Sequence, residues 1–212
     1  MKKSLIFLLV TMLLTFSCAY AKDSVSNTVT TTSAEAQKNL ADLPTQISSI
    51  QSKLNSISGS HRATLDNLIV NLLPESQVAS YKNDIKDLSG ESTLKSVVNF
   101  DVIDYSTNKL NKYLKTADAK TKLENLTTSQ KTAIKRDLNN LSSVKTSYGQ
   151  VFTQAKELAN KIKNDPIAIL ILRDDLSNLL SSQKEVLNQS KNILKLSSNI
   201  NKASVNAGVS LK

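Results

Sequence analysis

The chain has 212 residues, 40% of them hydrophobic and 21% charged, with 27 Lys and Arg against 18 Asp and Glu, four Gly, one His, one Cys and no Trp. That apolar share suffices for one modest core and argues against a disordered chain. So few glycines argue against an α/β enzyme, whose phosphate loops and tight turns need them. The expected class is all-α: an elongated antiparallel bundle of four to six helices with a long C-terminal helical hairpin.

Met1-Lys2-Lys3 precede an apolar run from Leu5 to Leu14, the pattern of an export signal too short to span a bilayer as a stable anchor. Two processing routes are open. Ala19-Tyr20-Ala21 offers leader peptidase its small residues, which makes 1–21 a signal peptide and Lys22 the first mature residue. Leu14-Thr15-Phe16-Ser17-Cys18 resembles a lipobox, with Thr15 where Leu is usual and Cys18 as the lipidated residue. The expected location is therefore outside the cytoplasm, either lipid-anchored at the outer membrane or cell surface, or periplasmic or secreted. With Cys18 the sole thiol, disulfides and Cys-ligated metals are excluded on both routes. Loss of Lys2 and Lys3 lowers the formal charge from +9 to +7. A basic exported surface suits anionic lipid or acidic polysaccharide, while export and the shortage of stacking aromatics argue against nucleic acid.

Residues 22–32 are polar and β-branched and read as a flexible tether. Thr32-Ser33-Ala34-Glu35 forms a capping box, and a single domain is expected over 33–200. Leu40, Leu43, Ile47, Ile50, Leu54 and Ile57 then make a heptad seam. Pro44 predicts a kink or restart within it and Gly59 its end. This seam closes either within one chain or between two, so a homodimer stays open. Ser60 starts a short helix carrying Leu65, Leu68, Ile69 and Leu72, stopped by Pro74, and Val78, Tyr81, Ile85 and Leu88 carry another up to Gly90. From Leu94 to Leu126 the period weakens but still reads as helix.

The last third is the clearest. Ile134, Leu138, Leu141, Val144, Tyr148, Val151, Ala155, Leu158 and Ile162 predict a long helix from about Ser129 to Lys163. Asn164-Asp165-Pro166 breaks it, and Asp165 as N-cap with Pro166 at the first helical position opens a second, carrying Ile169, Leu172, Leu176, Leu179/Leu180, Val186/Leu187, Ile193/Leu194 and Ile200. Residues 201–212 are expected to fray.

Catalysis needs convergent titratable groups, and few are on offer. His61, the lone histidine, reads as a capping or surface residue at a helix start. The pairs Asp84/Asp87, Asp101/Asp104 and Asp174/Asp175 read as solvated, salt-bridged helix faces. There is no EF-hand, Walker loop, Gly-x-Gly-x-x-Gly or HExxH motif. The chain is thus expected to be no enzyme, with no catalytic, metal or cofactor residues.

Two features rise above this background. In Pro166-Ile-Ala-Ile-Leu-Ile-Leu172 apolar residues cover every helix face, so Ile167, Ile169, Leu170, Ile171 and Leu172 are either packed under neighbouring loops or form an interaction tip. The second feature is a basic set around Lys131, Lys135, Arg136 and Lys145, with Lys120, Lys122, Lys156, Lys161 and Lys163 nearby, a candidate polyanion face.

In leader type and architecture the chain resembles the helical surface lipoproteins of several bacterial groups, spirochaetes included, with no residue-level motif shared. Low glycine, the absent catalytic constellations and the sustained heptads agree with a cell-envelope, surface or secreted binding protein that presents a basic helical face to a protein or polyanionic macromolecule at the cell surface, with a lipid anchor only on the Cys18 route. The alternative is a secreted membrane-active protein of the α-pore-forming kind, which this chain resembles in its long helices and apolar hairpin segment. It departs from that kind in the brevity of the segment.

Overall fold

The computed structural model describes residues 26–90 and 95–211. The expected signal peptide, the Cys18 lipidation site and residues 22–25 of the expected tether lie outside them. Contacts divide the chain into two units, Met1–Asp42 and Leu43–Lys212. The first, in its described residues, is the opening of one helix; the second is an all-α helical bundle. The described residues hold seven helices and no strand: α1 Ser26–Leu72, α2 Glu75–Gly90, α3 Lys95–Tyr113, α4 Ala117–Glu124, α5 Thr128–Lys163, α6 Pro166–Ile171 and α7 Arg173–Asn206.

Helix α1 departs from expectation at both ends. It begins at Ser26, ahead of the Thr32 capping box, so residues 26–32 are helical rather than tether. It passes Pro44 without a restart and does not stop at Gly59. The reason lies in what is buried: Leu43, Ile47, Ile50, Leu54, Ser58, His61, Leu65, Leu68 and Leu72 step by four and three without a gap. The seam runs through Gly59 because Ser58 and His61, both polar, occupy apolar positions. Burial along the whole seam outweighs the propensity cost of one glycine, about 1 kcal/mol. Within the bundle the seam is buried from Leu43 to Leu72.

Pro74 separates α1 from α2, and Tyr81 ties them by donating to the Asp66 carboxylate while its oxygen lies 2.9 Å from Ser106 Oγ of α3. Beside it Tyr105 of α3 donates to Asp84, stacks on Tyr81 at 6.2 Å between ring centroids, and shares Asp84 with Lys109 at 3.0 Å. The 94–126 region is helical but broken. Thr116 donates to the Tyr113 carbonyl at 2.8 Å and accepts from the Ala119 amide at 3.3 Å, closing α3 and capping α4 with one side chain.

Helix α5 opens on a Thr127/Gln130 capping box. Its buried stripe is Ile134, Leu141, Val144, Tyr148, Val151, Ala155, Leu158 and Ile162, with Leu138 and Phe152 at the edge. Helices α5 and α7 pair extensively, and α7 also packs on α3 and α4. Leu179, Val186, Ile193 and Ile200 of α7 are buried, whereas Leu180, Leu187 and Leu194, one residue later in each heptad, face out. The expected frayed tail is also corrected. α7 runs to Asn206, and Gly208 at φ 67° ends it in a Schellman turn, with Gly208 N donating to the Val205 carbonyl at 3.0 Å and Val209 N to the Ser204 carbonyl at 2.9 Å. This turn lets Leu211 fold back into a buried position.

Candidate interaction surface

The hairpin tip is built by its caps. Asn164 terminates α5, and the Asp165 carboxylate accepts from the amides of Ile167 at 2.9 Å and Ala168 at 3.0 Å, while Pro166 supplies the fixed φ of a first helical residue. The helix so started is short. At Leu172 the backbone turns to φ −110°, ψ 26°, and α7 restarts at Arg173, with Asp174 and Asp175 in its first turn. A single helix from Pro166 to Ile200 is thereby ruled out. Six apolar residues in a row cannot all be buried against one hairpin partner, and the break lets Ala168 and Leu172 turn inward. Leu172 is 6% exposed and Leu170 is 82% exposed. Ile167, Ile169 and Ile171 also stand in solvent. Of the candidate tip residues, four are on the surface and only Leu172 belongs to the core.

The candidate polyanion face divides. At 3.6 residues per turn, Lys131, Lys135 and Lys145 fall within about 80° of one another on one flank of α5, where Lys156 and Lys163 follow. Arg136 lies about 100° round from Lys135 and pairs with buried Asp137 at 3.3 Å. It therefore lies on the other flank of the buried stripe.

Several titratable groups go into inter-helix packing. His61 is buried rather than capping or exposed. Its ring meets Tyr148 of α5 edge-on at 5.8 Å, and Nδ1 lies 3.4 Å from the tyrosine hydroxyl. Burial lowers its pKa from 6.5 to about 4 and pushes that of Tyr148 up, so both are neutral at physiological pH. The acidic pairs are not faces of one kind. Asp84 is held below the usual carboxylate range by hydrogen bonds from Tyr105 and then Lys109. Asp104 accepts from Gln189 at 2.9 Å and Asn192 at 3.2 Å of α7, while Asp87 and Asp101 stay exposed. Among the described residues no three His, Cys, Asp or Glu side chains come together as a metal site, and no helix is long and apolar enough to cross a membrane.

Sequence reasoning missed a cleft of about 520 Å³ between the α3–α4 junction and the end of α7, lined among others by Asn111, Lys115, Lys120, Asn199 and Lys202. These residues lie far apart in the chain, and no local pattern joins them. Asn199 donates to Asn111 across it at 2.7 Å.

Comparison with known proteins adds no relative: no family model, no curated protein and no solved structure matches this chain.

Proposed function

We propose that this chain is an exported, non-enzymatic binding protein of the bacterial cell envelope, which meets a macromolecular partner through the tip of its α5–α7 hairpin. The observation that carries the reading is the solvent exposure of Ile167, Ile169, Leu170 and Ile171 on a capped turn. An exposed apolar patch at a hairpin end is the kind of surface that docks a partner or touches a membrane. The basic flank of Lys131, Lys135 and Lys145 adds attraction toward anionic envelope components. The engagement of His61, Asp84, Asp104 and Tyr148 between helices supports a structural use of groups that an enzyme would turn toward a cleft.

The test is co-sedimentation of the protein with isolated cell envelopes. Leu170→Asp combined with Ile171→Asp is expected to lower the bound fraction roughly tenfold with unchanged thermal stability, as loss of two contact side chains requires. Equal binding by variant and parent would remove the tip from the function. The pore-forming alternative draws on the same tip and is separated by dye release from vesicles: release abolished by Ile169→Asp at unchanged helicity favours it, and no release ends it.

A further inference from the structure

Helix α7 carries two parallel apolar lines. One, Leu179, Val186, Ile193 and Ile200, is buried in the bundle. The other, Leu180, Leu187 and Leu194, also repeats every seven residues but stands 39%, 44% and 52% exposed. The bundle uses only the first.

The charges along the second line are all of one sign. Lys184, Lys191, Lys195 and Lys202 are exposed and lie within about 40° of one another around the axis, adjoining the exposed leucines on the side away from the core. The acidic side chains of α7 point elsewhere. Asp174 and Asp175 sit in its first turn, and Glu185, half-buried, accepts from Gln189 on the α3 side at 2.7 Å. From Leu180 to Lys202 the mixed face runs roughly 33 Å.

We infer that the outer face of α7 lies flat on a bilayer containing anionic phospholipid. Leucines in a line bordered by lysines, with no carboxylate among them, is the pattern of a helix seated in the headgroup region, its apolar side chains at the acyl boundary and its ammonium groups among the phosphates. A polyanionic glycan answers the lysines but offers the leucines no apolar phase. Antiparallel pairing with a second copy covers the leucines but sets one lysine row against the other. An anionic bilayer answers both. The inference uses α7 and not the hairpin tip, so it stands or falls separately from the tip reading.

The experiment uses the unlipidated chain from Lys22 onward, which contains every described helix, and measures partition onto phosphatidylcholine vesicles with and without phosphatidylglycerol. Partition is expected only with phosphatidylglycerol, weakening as salt rises. Lys191→Gln with Lys195→Gln is expected to lower it about 30-fold, at about 1 kcal/mol per lysine. Leu187→Gln with Leu194→Gln is expected to lower it at least roughly tenfold even in low salt. All four positions are exposed, and circular dichroism verifies that the fold is kept. Absence of partition overturns the inference, as does partition unaffected by either pair. Binding to heparin that needs the lysines but not the leucines, without vesicle binding, assigns the face to a glycan. Concentration-dependent dimerisation lost in the leucine pair, again without vesicle binding, assigns it to a second copy.

Discussion

Burying the one histidine gives the bundle a measurable pH dependence. In the unfolded chain His61 titrates near 6.5, whereas in the folded protein burial holds its pKa at about 4. Between those values the unfolded state binds a proton that the folded state refuses. Stability from this group is therefore complete above the unfolded value and is lost as pH falls through the window from 6.5 toward about 4. The difference corresponds to about 3 kcal/mol, a large share of the stability of a small domain. Asp84 acts in a lower window, since hydrogen bonds from Tyr105 and Lys109 hold it below the usual carboxylate range and its contribution is lost only as it protonates. Urea unfolding across this range is expected to give a midpoint that drops steadily toward acid, with His61→Gln losing most of that slope whatever its stability at neutral pH. An identical slope in the variant, or an NMR titration placing the imidazole near 6.5 in the folded protein, would refute the reasoning.

Gly59→Ala tests the continuity of α1. Beyond the surrounding turn of its own helix nothing lies within 4 Å of the added methyl, and the backbone is helical, so a gain of about 1 kcal/mol is expected in chemical denaturation. A loss would mean that the helix does not run through this residue. Asp165→Ala removes the acceptor of two amides at the hairpin turn and is expected to cost about 1 kcal/mol. At the tip, Leu172→Ala is expected to cost about 2–3 kcal/mol, while Leu170→Ala leaves the unfolding midpoint unchanged; equal effects would contradict the turn of the chain at Leu172.

Most of the hairpin was legible in sequence because its signals are local. The α5 stripe repeats at helical spacing, and Asn164-Asp165-Pro166 can only be a break and a new start. The seam of α1 was half legible. Leu43 to Leu54 reads as a heptad line, but its continuation hides behind Ser58 and His61, which a hydrophobicity pattern scores as polar although both are buried. The candidate site was legible as a run of residues and not as a surface. Pro166 to Leu172 announces itself as apolar, yet which members turn in depends on the break at Leu172, where Ala168 and Leu172 find the bundle and Leu170 does not.

The sequence by itself determined the class: scarce glycine, sustained three-and-four spacing and strong cap and stop residues leave little but helices. Only the tertiary structure decided which of two equivalent lines on α7 would be covered. Leu179-Val186-Ile193 and Leu180-Leu187-Leu194 differ by a single residue of register, so neither periodicity nor composition distinguishes them. The choice was made by partners distant in the chain: Asp104 and Asn111 of α3 hold Gln189, Asn192 and Asn199 of α7, and that grip fixes the rotation of the helix that leaves the second leucine line facing solvent.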